Sequence, residues 1–231
     1  MNEPKLVWDR PEPPGRPAPV PLSRERIVAA AIELADADGL AAVSLRKVAA
    51  ALGTGPMRLY GYIDTKEELF DLMVDAVYGE VRLPEPSSDW RSGLCEIAHE
   101  TWRCALRHEW FGELLGGRPH LGPNALRYLE IAFAAFGDRD ADTIMVTFGA
   151  LNSYVVGALR TALAELNAER ASGMTEDEWR QTRGPYLARM METGRYPALA
   201  KIMAETTYPD PATAFDTGLE ILLDGIGARL T

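Results

Sequence analysis

Apolar positions recur at helical spacing along most of the chain, and glycine, proline and small polar residues interrupt them. Ile27, Ala31 and Leu34 follow Ser23, a good N-cap, and Leu22 with Ile27 fits a hydrophobic staple. Gly39 in "DADGL" stops this first helix. Ser44 caps a second, "LRKVAAAL", with Leu45, Val48, Ala49 and Leu52 facing inward. Gly53 makes a turn, and Pro56 opens a third, short helix ending near Tyr62. Thr65 and Glu68 fit a capping box, from which a fourth helix runs to about Val81 with Leu69, Met73 and Val77 on one face.

Beyond a break at 83–89, with Ser87 or Ser88 as the new N-cap, a helix is predicted from Trp90 to about Arg107, its inner stripe formed by Leu94, Ala98, Thr101 and Ala105. A short piece around 110–116, a helix over 124–136 and the longest pattern, from about Asp140 to Glu169, come next. Helices to about Glu192 and over 197–206 precede a last one opened by Pro211. No strand alternation of useful length and no internal repeat is present, so the class is all-α with about ten helices. Residues 1–22 carry seven prolines, which argues for an extended or disordered, non-helical tail. With Lys5, Trp8, Arg10 and Arg16, this tail is either passive or an arm that touches a DNA groove or packs back on the body.

Composition narrows the function. The 231 residues are 47% hydrophobic and 25% charged, ordinary for a globular protein, and no apolar run approaches the ~18–20 residues of a membrane span. The N-terminus lacks a signal-peptide pattern, so a cytoplasmic protein is expected. Cys95 and Cys104 lie on opposite sides of one predicted helix and read as small buried or half-buried thiols. "HETWR" begins like a zinc-binding HExxH helix but has Arg103 in place of the second histidine. No nucleotide-binding or nucleophile motif appears, so no metal, cofactor or catalytic residue is expected. The net charge of −10 argues against nonspecific nucleic-acid binding by the whole molecule. Between Ser44 and Lys66, however, Arg46, Lys47, Arg58 and Lys66 face only Asp64, a local +3 on a body of −13. A small basic island on an acidic body is compatible with one DNA-contacting face.

Two short helices meeting at a glycine turn behind a stabilising first helix form a helix-turn-helix arrangement, which also occurs in proteins that bind no DNA. The stretch "RERIVAAAIELADADGLAAVSLRKVAAALGTGPMRLYGYIDTKEELFDLMVDAV" resembles the TetR/AcrR family of transcriptional repressors: a helix ending in Gly, a Ser-led helix containing Arg, "LG", a short recognition helix ending in "LY", an aromatic two residues later, and "KEEL". A weaker likeness extends to "FDTGLEILLDGIGARL", similar to the last helix of a tetracycline-repressor-type C-terminal domain. The resemblance implies a Pro-rich tail over 1–22, a helix-turn-helix DNA-binding domain over 23–67 and a ligand-binding and dimerisation domain over 68–231. It implies that Ser44 meets a phosphate, that Arg46 reaches a base or phosphate, and that Gly55, Pro56, Met57 and Arg58 face the groove. Tyr60, Tyr62 and Lys66 take phosphate-contacting positions, whereas Leu59 and Ile63 are core. Gly61 departs from the family pattern, which has a larger, often basic residue there.

The second half is then expected to hold an effector cavity and a dimer interface. Phe215, Leu219, Leu222 and Ile226 step by four, three and four, an interface-like seam that an intramolecular core helix would also show. Gly218 and Gly225 permit close approach beside it. Met145, Phe148 and Asn152 fall near one face of the longest helix, and Asn152 in an apolar stretch needs a partner or a ligand. Trp102, Trp110, Phe111 and Tyr128 are candidates to close the cavity, with His120 on a nearby loop. Such a pocket suits a hydrophobic or aromatic small molecule. The expectation is a homodimeric, ligand-responsive repressor of a near-palindromic operator. Its rivals are a partner-binding module without DNA binding, or a small all-α enzyme using His99, His108 or His120.

Overall fold

The computed structural model describes residues 6–13, 21–85 and 89–230. Among them are ten α-helices and no strand: α1 Arg24–Asp38, α2 Leu45–Ala51, α3 Lys66–Glu80, α4 Trp90–Arg107, α5 Phe111–Leu114, α6 Pro123–Ala134, α7 Ala141–Ser172, α8 Glu176–Glu192, α9 Pro197–Glu205 and α10 Pro211–Leu230. Three 3₁₀ segments cover Val7–Asp9, Leu40–Ala42 and Pro56–Gly61. Local chemistry sets the early boundaries. Ser23 and Ser44 accept hydrogen bonds from the Arg26 and Lys47 amides, and Gly39 ends α1 at φ 79°. The capping box expected at Thr65 is half made: Thr65 accepts from the Glu68 amide, but the Glu68 carboxylate turns one residue further back, to the Asp64 amide.

Helix α3 joins the two halves. Its Leu69, Met73, Val74 and Val77 are fully buried, each worth about 1.5–3 kcal/mol. It packs on both α1 and α6. The remaining core lies among α4, α6, α7 and α10, where Leu94, Phe136, Leu159 and Phe215 are buried. Asp89 caps α4 by accepting from the Arg91 amide; the candidate caps Ser87 and Ser88 lie outside the described residues. Helix α8 begins with a complete capping box, Thr175 and Glu178.

Three sequence expectations need correction. The described part of the tail is neither passive nor free of helix, because Val7–Asp9 forms a 3₁₀ turn, Val7 is buried and Arg10 pairs with Asp64 and Glu68. For residues 6–13 the packed-back alternative holds; residues 1–5 and 14–20 lie outside the described ones. The predicted dimer seam is turned inward: Phe215 is 2% exposed, Leu219 1% and Ile226 6%, and Leu222 is half-buried. Phe215 stacks on Trp102 of α4 with ring centres 4.2 Å apart and on Tyr154 of α7 at 5.8 Å. Gly218 makes room for the Tyr154 hydroxyl of the same chain, where a Cβ would collide with it. A four-three-four spacing marks an apolar face without saying whether a neighbouring helix or a second subunit covers it. Finally, α7 is long and apolar enough to cross a membrane by length and composition. Its apolar residues are interspersed with Thr, Gly, Ser and Asn, so no continuous run stands out.

Candidate DNA interface and effector cavity

The turn after α2 is fixed by backbone chemistry. Gly53 adopts φ 63°, its amide donates to the Ala50 carbonyl at 3.0 Å, and the Thr54 amide donates to Ala49 at 2.9 Å. This paired closure is a Schellman motif, and it needs a residue comfortable in the left-handed region at its centre. Thr54, which no sequence pattern singles out, also accepts a hydrogen bond from Arg58 Nη1 at 3.2 Å and so aims that guanidinium.

The recognition segment is a 3₁₀ helix over Pro56–Gly61 rather than an α-helix to Tyr62. Pro56 lacks an amide proton, and glycines flank a stretch of only a few residues. A 3₁₀ helix brings i and i+3 onto one face. Leu59 and Tyr62 therefore align inward, and Met57 and Tyr60 align outward. Met57 is 79% exposed and Tyr60 47%, whereas Tyr62 is only 8% exposed. Most of the Tyr62 side chain therefore packs in the core, and its carbonyl accepts from Arg24 Nε at 3.1 Å. An α-helical spacing would have grouped Tyr62 with Arg58 on the outside.

The other expected contacts are presented to solvent. Arg46, Gly55, Pro56, Arg58 and Lys66 are exposed, and Ser44 is half-buried with its hydroxyl accepting from Lys47. Lys66 sits in the first turn of α3 with its ammonium 4.9 Å from the Phe70 ring centre. A cation there opposes the helix dipole, a repulsion that a bound phosphate would reverse. Gly61 lies under Pro13.

In the second half, a cavity of about 290 Å³ is lined by Tyr78, Leu115–His120, Ala125, Tyr128, Leu129, Phe133, Met145, Phe148 and Asn152. It gathers five of the eight expected ligand residues: His120, Tyr128, Met145, Phe148 and Asn152. The other three lie elsewhere. Trp102 stacks on Phe215, Trp110 donates its indole N–H to Asp36 at 2.7 Å, and Phe111 is fully buried behind the cavity, edge-on to Tyr78 at 5.4 Å. Aromatic character alone did not tell lining from backing. Burial pushes the Tyr78 and Tyr128 phenols well above their ordinary pKa, so both stay neutral. With Asn152, Arg118 and His120 they supply a few polar anchors in an otherwise apolar wall.

The cavity is joined to α3 by Asp75, a residue outside the sequence-predicted set. Asp75 is buried, and one carboxylate oxygen accepts from the Asn124 and Ala125 amides at 3.0 and 2.9 Å. The other accepts from the Asn124 side chain at 3.2 Å. A carboxylate of α3 thereby caps the N-terminus of α6, where Gly122 leaves room for it; a Cβ there would collide with the carboxylate. Burial raises the Asp75 pKa despite these hydrogen bonds, which pull it down. The signal was an acid set within the apolar run of α3.

The histidines are bound into such joints. His108 bridges Asp36 of α1 at 2.9 Å and Glu80 of α3 at 3.3 Å, and His99 meets Asp216 at 2.9 Å. Both thiols are free, and burial pushes each upward, which makes them poor nucleophiles.

Comparison with known proteins agrees with this geometry. The profile of the bacterial regulatory proteins of the tetR family matches residues 27–73, and that of the tetracyclin repressor-like C-terminal domain matches 83–230. The chain is 37% identical over 227 residues to the HTH-type transcriptional repressor DrrR1 of Streptomyces coeruleorubidus, covering 96% of this chain and 83% of that one. It is 25% identical over 223 residues to the class A tetracycline repressor from transposon 1721 of Escherichia coli, covering 90% and 92%. Among solved structures, ActR of Streptomyces coelicolor in complex with actinorhodin superposes with a TM-score of 0.78 at 28% identity, over 92% of this chain and 98% of that one. The exposed helix-turn-helix, the joint on α3 and the cavity behind it have one common setting: the chain belongs to the TetR family of non-enzymatic, helix-turn-helix transcriptional regulators, which bind operator DNA and small-molecule effectors.

Proposed function

We propose that this protein is a cytoplasmic homodimeric repressor whose two recognition segments enter successive major grooves of a near-palindromic operator, and which a hydrophobic or aromatic small molecule releases. The observation that carries the DNA side is the presentation of Arg46 and Arg58 beside the outward Met57–Tyr60 face, on the basic island of an acidic chain. Gly55, Pro56 and Met57 offer few side-chain hydrogen bonds. The two arginines therefore carry the base readout, and Ser44, Tyr60 and Lys66 hold the backbone. The similarity to a named repressor supports repression as the direction of control. Selection of bound DNA from a random pool should return two half-sites with centres ~34–36 Å apart, or a multiple of that. Failure to enrich any sequence, or a single unpaired half-site, overturns this reading. Binding to the selected site should fall steeply with salt, which a partner-binding module would not show.

The cavity supports a ligand of modest size. Its aromatic and aliphatic walls bury the body of such a molecule, and Asn152, His120 and the neutral phenols orient it. ActR has been solved with (S)-DNPA and with actinorhodin, which supports an organic effector here too.

Exposed apolar surface supports the dimer. Only 28% of the apolar window of α7 is buried within the chain. Gly149, Ser153, Gly157 and Thr161 form an exposed stripe of small residues at four-residue steps, and α10 exposes Gly225 and Ile221, the latter by 69%. A second copy packed on these faces forms a four-helix contact with close backbone approach. Helices α8 and α9 bury none of their residues and expose Trp179, Tyr186, Leu199 and Ile202, surface that the same partner covers. Ile221→Glu should convert the dimer to monomer in light scattering at micromolar concentration, while Phe215→Leu, inside the subunit, should leave the mass unchanged. A monomeric wild-type protein would sink the paired-groove mechanism.

A further inference from the structure

The described N-terminal segment, residues 6–13, touches both functional regions. At one end Arg10 pairs with Asp64 and with Glu68, the residues that lead from the recognition segment into α3. Its carbonyl accepts from Arg24 Nη1 at 2.7 Å, and the same guanidinium donates through Nε to the Tyr62 carbonyl. Glu12 accepts from the Arg24 amide at 3.2 Å, and Pro13 lies over Gly61. At the other end Val7 is buried, and Leu6 and Trp8 line a cavity of about 350 Å³ with Asp71, Leu114, Leu121 and the loop 117–120. That loop also lines the effector cavity, so Gly117, Arg118, Pro119 and His120 form a partition between the two spaces. Trp8 Nε1 is buried without a hydrogen-bond partner, an unfavourable position that packing of the ring must hold.

We infer that residues 6–13 are a strap that transmits the position of the effector-cavity wall to the DNA-binding head, with Trp8 as its anchor on the 114–121 loop and Arg10 as a positioning residue for the recognition segment. A ligand that moves the partition displaces Trp8. The turn Val7–Asp9, closed by the Asp9 and Arg10 amides donating to the Leu6 and Val7 carbonyls, then shifts Arg10 against Asp64 and Glu68. This route differs from the Asp75 joint in running through the N-terminal segment rather than the α6 N-terminus; His120 of the partition also faces Asp71 of α3 at 3.6 Å. It rests on the DNA-binding reading for its consequence but not for its mechanics. The coupling is physical only if a change at one end alters the other.

The test uses the full chain with Trp8→Ala, Arg10→Ala and Arg10→Lys, read by amide hydrogen exchange and by affinity for the pool-selected site. Trp8→Ala should speed exchange at 61–68 at least 5-fold, although Trp8 lines only the far cavity, and weaken DNA binding 3–10-fold. Arg10→Ala should do the same and also speed exchange at 114–121. Arg10→Lys, which keeps the charge but not the two-pronged reach, should fall between Arg10→Ala and wild type. Deletion of residues 1–13 should reproduce both effects, and it stands in if Trp8→Ala fails to fold. The strap is overturned if Trp8→Ala changes exchange only within 6–13 and 114–121 while 61–68 and DNA affinity stay at wild-type values. If the wild-type protein binds no DNA, the regulator reading fails, and exchange at 61–68 still decides the strap.

Discussion

Asp75→Ala should lower the unfolding free energy by about 2–4 kcal/mol, measured by urea denaturation. The substitution strips the acceptor from two backbone amides at the start of α6, one of them on buried Ala125. An unmet buried donor costs about 1–3 kcal/mol, and relief from burying the carboxylate offsets part of the total. Asp75→Asn is the informative partner. Its amide oxygen still serves both backbone donors, but its new NH2 faces the Asn124 NH2, and turning the Asn124 amide to accept from it gives up the bond that Asn124 donates to the residue 75 carbonyl, so a loss of about 1 kcal/mol is expected. The pH dependence separates charge from shape. Because burial raises the Asp75 pKa in the folded state above its unfolded value, the folded protein binds the proton more tightly. Wild type therefore gains stability relative to Asp75→Asn as pH falls through that raised pKa, and loses it as pH rises. Equal urea midpoints for wild type and Asp75→Ala would show that the carboxylate does not hold α6.

The consequence reaches function through geometry. Ala125, whose amide Asp75 holds, also lines the 290 Å³ cavity proposed for the effector, and the recognition segment precedes the start of α3. Gly122 leaves room for the Asp75 carboxylate, and a Cβ there would collide with it, so a ligand acting through the α6 terminus would act on a closely packed joint. Its leverage on DNA binding is bounded by its differential affinity for the two arrangements.

What the sequence made legible was mostly local. Ser23, Ser44 and Thr65 accept from amides three residues on, and the Gly53 amide donates to a carbonyl three residues back, so helix starts and the turn follow from residue type and spacing. The departures involve choices among similar periods or between distant partners. Tyr62 turned inward because three residues per turn replaced 3.6 over one short segment. Phe215 packs within the subunit because Trp102 and Tyr154, far away in sequence, supply the matching surface. The cavity was found where a polar residue broke an apolar helix face, as at Asn152, and missed where aromatics gave no sign of which side they faced, as at Trp110. Asp75 and Arg10 find their partners through the tertiary fold, 49 and 54 residues away, beyond the reach of any local pattern.

Arg46→Ala and Arg58→Ala should each weaken binding to the selected operator by about 1–3 kcal/mol, or roughly 5- to 150-fold, and relax base preference at one position per half-site. The size follows from how little else reads sequence. Met57 contributes an apolar surface, and Gly55 and Pro56 present no side-chain donor. Arg58 is the more constrained of the two, because Thr54 holds its Nη1 while the remaining guanidinium donors stay available. Thr54→Val should therefore reproduce part of the Arg58→Ala loss, with specificity suffering more than nonspecific affinity, since the charge remains and only its aim is lost. Lys66→Ala gives the opposite signature. Removing an ammonium that pairs with a phosphate weakens binding to all sequences alike and lowers the salt slope by about one. Electrophoretic or fluorescence titrations at two salt concentrations, on the selected site and on single-base variants, distinguish these patterns. If both arginine variants bind the selected site as tightly as wild type, base readout lies elsewhere, and the outward Met57–Tyr60 face would have to work through DNA shape alone.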